Sequence, residues 1–194
     1  EANWAYDELR ENLKIIFEGS TEADSKVFDL LLSNKAKIIE LFGEKAYFEK
    51  VEKACQKTVN KAIQFQNKDL IEEANNKMES AKHANANAFA TTSIMDYCKS
   101  IGDADGFCAA CKDYIKDVKT EDPAKLHTIA KEIAQNFPKD KNAMKLAEKY
   151  AERATKNSEV YEYFYTYSSI LLQNGNTKDA LNVANKTKEN MQRK

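Results

Sequence analysis

The chain has 194 residues, 42% hydrophobic and 31% charged, with 31 acidic against 30 basic residues. This length allows one domain or two small ones, and the apolar share supports a packed core and argues against disorder. The near-zero charge balance argues against a nucleic-acid partner, which asks for a basic excess on one face. Five Gly and two Pro are too few for an all-β fold with many tight turns, whereas abundant Ala, Lys, Glu and Leu favour helices.

No run of about 18 apolar residues occurs, so no membrane span is predicted. The chain begins at Glu1 without Met or a visible signal peptide, which fits a start removed by processing or a piece of a longer protein. Cysteines 55, 98, 108 and 111 are too few for a disulfide-rich scaffold and leave the compartment open.

In chain order, Trp4, Leu9, Leu13, Ile16 and Phe17 give a first helix over about 4–17, ended by Gly19–Ser20–Thr21. Asp24 or Ser25 caps a second helix carrying Val27, Phe28 and Leu30–Leu32. Ser33–Asn34 interrupts, and a short helix from Lys35 ends at Phe42–Gly43. A longer helix runs from about Glu44 to Gln66, with Tyr47, Val51, Ala54, Thr58, Ala62 and Phe65 at three- and four-residue steps. After a break at Asn67–Asp69, a less hydrophobic helix covers about 70–81.

From about residue 86 the pattern becomes regular. The spacing predicts hairpins over 87–119, 122–156 and 158–190, a helix pair roughly every 35 residues. Gly102–Asp103 turns the first. Asp122 caps the second, with Pro123 at the first helical position, where its missing N–H costs little. Gly175 breaks the third between an aromatic-rich helix and one carrying Ala180, Leu181 and Ala184. The expected fold is all-α: an irregular helical segment over 1–85, then antiparallel hairpins over 86–194, in one continuous helical domain. Such pairs bury their apolar faces only by stacking on neighbours. The last helix then acts as a cap, with Lys178, Asp179, Asn182, Lys186 and Lys188 facing water.

Cys108–Ala109–Ala110–Cys111–Lys112 has the C-x-x-C spacing of a thiol–disulfide site. That chemistry places the first Cys at a helix N-terminus, where the dipole supplies thiolate. It also needs a buried strand upstream, and the upstream ATTSIMDYCKSIGD reads as an amphipathic helix. Three readings remain: packing thiols at a helix crossing, which Cys98, Cys108 and Cys111 suit best; a regulatory or accidental disulfide among the three; and a catalytic or redox-sensing pair. No metal or cofactor site is predicted, because neither His83 nor His127 has helical-neighbour spacing to the cysteines. Both histidines read as surface or partly buried. Carboxylates are scattered, and no phosphate loop, dinucleotide fingerprint or G-x-S-x-G is present.

The aromatic cluster at 161–167 offers three stripes. Val160, Phe164, Tyr167 and Leu171 read as core. Tyr161, Tyr165, Ser168 and Leu172 read as the face that meets the preceding hairpin. Tyr163 and Ile170 point a third way, and Tyr163 is the candidate peptide contact, since Tyr is favoured at interfaces.

Phe164, Ser168, Leu171, Gly175 and Ala180 fill the large–small–large, turn and crossing positions of a helical hairpin that resembles a tetratricopeptide (TPR) repeat. The resemblance implies a short right-handed solenoid. Over nearly the whole chain, the pattern is similar to the helical C-terminal region of thioredoxin-family proteins of Bacteroides-type bacteria. Asn3, Trp4, Ser25, Phe28, Leu31, Asn34, Phe42, Gly43 and Glu44 carry the first block, Gly102–Asp103 the family's turn, and 148–186 its closing hairpin. The family's catalytic C-x-x-C belongs to a thioredoxin domain that no part of this chain matches. Cys108 and Cys111 fall where relatives place ordinary small residues. The resemblance implies an exported, periplasmic protein, and in that oxidising setting a bridge from Cys98 to Cys108 or Cys111 becomes available. The function expected is a non-enzymatic helical scaffold that binds a protein or peptide, or positions an attached thioredoxin domain. The rival expectation is a thiol–disulfide oxidoreductase or redox sensor using Cys108 and Cys111.

Overall fold

The computed structural model describes residues 2–117, 122–156 and 158–192, with side chains over 8–116, 122–156 and 158–188. The Asn3 and Trp4 side chains, the helix end expected at Lys119, and Asn157 lie outside the described residues. Among the described residues there are eleven helices and no strand, so the fold is all-α. They are α1 (Ala2–Gly19), α2 (Lys26–Ser33), α3 (Lys35–Phe42), α4 (Glu44–Phe65), α5 (Lys68–Ser80), α6 (Ala86–Ile101), α7 (Ala104–Asp117), α8 (Pro123–Asn136), α9 (Lys141–Thr155), α10 (Tyr161–Gln173) and α11 (Thr177–Gln192). Two compact units divide the chain, Glu1–Ile101 and Gly102–Lys194. The expected hairpin over 87–119 straddles this division. α6 packs on α5 and α4 of the first unit.

Local chemistry fixes the helix ends. Ser25 Oγ accepts the Phe28 N–H at 3.2 Å, starting α2. Asp122 accepts the Ala124 N–H at 3.0 Å ahead of Pro123, and Asp140 accepts the Ala143 N–H at 2.8 Å, starting α8 and α9. At the other end of α10, the Gly175 N–H returns to Leu172 O at 3.0 Å and the Asn176 N–H to Leu171 O at 2.8 Å. This double closure needs a left-handed residue, and Gly175 supplies it at φ 83° without a Cβ penalty. α4 closes the same way on Gln66, a non-glycine residue held at φ 51°, whose carbonyl accepts the Tyr97 hydroxyl at 3.0 Å.

In the first unit, Phe28, Leu31, Ile38, Tyr47, Val51, Ala54, Val59 and Ala62 form a continuous core. The α4 stripe is the predicted one up to Ala62. Phe65 is the exception at 65% exposed, because it is the last helical residue and the chain turns away at Gln66. Polar groups close the rim of this core. Lys35 Nζ donates to Ala81 O at 2.8 Å, at the end of α5, and lies 4.7 Å from the centroid of Phe48. Phe17 stacks on Phe42 at 4.2 Å, joining α1 to α3.

The loop between α1 and α2 is pinned to α4 through Thr58. Its Oγ1 accepts the buried Ala23 N–H at 2.8 Å and donates to Asp24 Oδ1 at 3.2 Å. Lys61 adds a 2.6 Å contact to Asp24 and a 3.2 Å contact to Glu22. Burial pushes the Asp24 carboxyl up, but hydrogen bonds from Lys61, its own backbone and Thr58 outweigh it and leave the group below the usual range.

Both Thr58 and Ala23 are fully buried, so removing the hydroxyl leaves an N–H with no water to turn to. Thr58→Val is therefore expected to destabilise the first unit by about 1–3 kcal/mol, while Thr58→Ser, which keeps the hydroxyl and loses only a buried methyl, is expected to cost less, about 1 kcal/mol. Urea unfolding followed by circular dichroism checks this. Equal stability of the Val and Ser variants would show that the Ala23 contact contributes nothing.

Candidate functional site

The second unit builds its core from one stripe of each helix. α7 gives Phe107, Cys111 and Ile115; α8 gives Leu126, Ile129, Ala130 and Ile133; α9 gives Ala143, Met144, Ala147, Tyr150 and Ala154. α8 and α9 pack as an antiparallel hairpin, α10 lies against both, and α11 against α10. Only Ile170 and Leu171 of α10 are fully covered, and Ala180 and Thr187 are the buried residues of α11 among those described. The expected outer residues Lys178, Asp179, Asn182, Lys186 and Lys188 are all exposed.

The phase of α10 is only partly the expected one: of the stripe read as core, Leu171 is buried and Phe164 and Tyr167 are half-buried, but Val160 is 46% exposed. The face carrying Tyr163, Thr166 and Ile170 turns toward α8. Tyr161, Tyr165 and Leu172, expected to meet the preceding hairpin, are 53%, 60% and 55% exposed. Helix α10 is apolar on nearly every side, so its own sequence could not choose the face. His127 of α8, only 7% exposed, places Nε2 3.0 Å from Thr166 Oγ1, and its ring centroid lies 4.7 Å from that of Tyr163. Lys131 pairs with Glu162 at 3.1 Å one turn further along α8. Tyr163, the predicted peptide contact, is thus half-buried against His127, and Tyr165 is the ring that stands in the open.

Between α8 and α10 runs a groove of about 490 Å³. Its floor is Ala134 and Ile170, its walls are Lys131, Gln135, Thr166, Ser169 and Gln173, and Tyr165 and Pro138 flank it. A second hollow of about 590 Å³ continues past Pro138 and Gln173, which line both, to the start of α9 and the α10–α11 turn. That turn is tied down: Asn174 Nδ2 donates to Glu148 Oε2 at 2.6 Å and to Met144 O at 3.2 Å, and Asn176 Nδ2 reaches Glu148 Oε2 at 3.1 Å. Apolar floor, amide walls and a few charged groups are the usual make-up of a peptide-binding cleft. Sequence reasoning missed Tyr165, Gln135, Gln173 and Pro138 as one group because they come from α8, the turn after it and α10, 27 or more residues apart across the cleft.

The predicted redox residues sit elsewhere. Cys98 is on α6 of the first unit; Cys108 and Cys111 are on α7 of the second. All are buried, and no disulfide joins cysteines among the described residues. α7 begins at Ala104 with Asp103 Oδ1 accepting the Gly106 N–H at 2.9 Å, so Cys108 lies beyond the first turn, where the dipole effect has faded. Burial pushes the Cys108 thiol up, aided by Asp140, Asp105 and Asp103 against the opposing Lys112. No group of three or more His, Cys, Asp or Glu among the described residues is arranged to hold a metal ion. No helix among them is long and apolar enough to cross a membrane.

Burial lowers the His127 pKa from 6.5, with Lys131 acting in the same direction and Glu162 opposing both. The unfolded chain therefore takes up this proton first as pH falls, and protonation favours unfolding. His127 should weaken the second unit progressively below about pH 6.5, and leave stability unchanged above it. The wild-type chain is expected to lose stability relative to His127→Gln between pH 6.5 and 5, read by urea unfolding at each pH; parallel profiles would show that His127 does not titrate in this way. No protein-family model, curated protein or solved structure matches this chain.

Proposed function

We propose that this chain is a non-enzymatic, TPR-like helical scaffold that holds a protein or peptide partner in the α8–α10 groove, within an exported bacterial protein carrying a thioredoxin-like domain. The observation that carries the binding role is the groove itself. Its exposed Tyr165, its two glutamine amides and its apolar floor offer a peptide both area and hydrogen bonds. The exported setting and the thioredoxin-like companion rest on the sequence resemblance alone.

A packing role for Cys108 and Cys111 agrees with this reading, because both are buried and burial raises the Cys108 pKa, which makes that thiol a poor nucleophile at neutral pH. Insulin reduction is expected to stay at background. Activity abolished by Cys108→Ser would replace the scaffold with an oxidoreductase. A reading frame without a thioredoxin-like domain upstream of Glu1 would remove the proposed companion.

The binding role is tested by selecting peptides from a displayed random 12-residue library on the full chain and measuring their affinity by fluorescence anisotropy. Tyr165→Ala removes an exposed ring, so the fold should survive. Binding should weaken by about 1–2 kcal/mol, roughly 5- to 30-fold. Recovery of no binder, or binders indifferent to both Tyr165→Ala and a groove-filling Ser169→Trp, sinks the reading.

A further inference from the structure

We infer that the partner segment is acidic: the groove takes an extended peptide whose carboxylates lie over Lys139, Lys141 and Lys145 at the start of α9. This rests on the peptide-binding reading and specifies the chemistry of its ligand. The two hollows meet at Pro138 and Gln173, so a peptide leaving Tyr165 runs directly onto these lysines.

Charge bookkeeping at this end of the groove favours an anion. All three lysines are exposed, and none makes an ion pair among the described residues. The two carboxylates beside them keep their charge but are turned to neutral donors of the fold. Asp140 accepts the Ala143 N–H as the cap of α9, and Glu148 accepts from Asn174 and Asn176. At the other end, Lys131 is paired with Glu162. With Lys139, Lys141 and Lys145 against Asp140 and Glu148, the charged lining of this end is positive by one.

The position of these lysines has no explanation in the helix. Lys139 and Lys141 flank the cap residue of α9, at the positive end of its dipole, where cations are disfavoured. An incoming carboxylate meets favourable lysine charge and favourable helix dipole together. The interaction is exposed to solvent, so it is modest per pair and screened by salt.

The test uses three fluorescein-labelled eight-residue peptides on the full chain. The first has four glutamates interleaved with proline and leucine; the second and third carry glutamine or lysine at those four places. The glutamate peptide is expected to bind at least about tenfold tighter than the glutamine peptide, to weaken as NaCl rises from 50 to 300 mM, and to fall to the glutamine peptide's affinity on the variant Lys139→Gln/Lys141→Gln/Lys145→Gln. Amide NMR shifts should cluster at Lys139–Lys145 and Gln173–Asn176. Comparable affinity for all three peptides overturns the acidic preference while leaving a groove binder in place. Binding by none of them, or shifts confined to other residues, also overturns it. Whether the groove binds peptides at all is read from the library selection, so the two failures are separable. Comparing peptides on the unaltered chain keeps the test decisive if the triple variant misfolds.

Discussion

Every helix here faces one constraint: its apolar stripe must be covered, and the cover comes from a helix close by in the chain. α4 is covered by α3, α5 and α6, and α9 by α8, α10 and α7. A single amphipathic helix is marginal in water, so the hairpin contacts contribute most of the stability. Side-chain caps set where α2, α5, α8 and α9 begin, and left-handed closures at Gln66 and Gly175 set where α4 and α10 stop. Together they fix the phase at which one stripe meets the next.

The groove follows from that constraint at the point where cover runs short. α10 has more apolar surface than its neighbours cover: Ile170 and Leu171 are buried, and the contact of His127 with Thr166 adds a polar tie to α8. Once Tyr163, Thr166 and Ile170 face α8, Tyr165 must stand beside the cleft, one helical step away. The Asn174 and Asn176 contacts to Glu148 then hold the far end of α10 against α9. A cleft fixed at both ends loses little freedom when filled, which favours binding.

Much of the fold was legible because its signals are local. The steps from Tyr47 to Ala62, the Ser25 and Asp122–Pro123 starts, and the Gly43 and Gly175 stops each lie within a few residues of the feature they specify. The phase of α10 was not legible, because Val160, Tyr161, Tyr163, Phe164, Tyr165 and Tyr167 satisfy several stripes equally. His127 read as an ordinary histidine because its partner, Thr166, is 39 residues away. The repeat pattern begins near residue 86, whereas the compact units meet at Ile101–Gly102, since α6 lies on α4 and α5. The Cys spacing suggested chemistry that depends on exposure and on the helix start, and neither is encoded in a C-x-x-C.

The neighbour-on-neighbour packing of the helices also bears on how the chain reaches this structure. Contacts between elements adjacent in sequence require only short loops to close, so the entropy lost before the first favourable contact is small. A short, well-capped hairpin such as α8–α9, with Pro123 preset at its start and Asp140 at its turn, is a natural nucleus onto which α10 and then α11 can add. Helical topologies with such local contacts tend to fold fast, and α11 joins this scheme through buried Ala180 and Thr187, the nearest part of its chain to α10 being the short turn at Gly175.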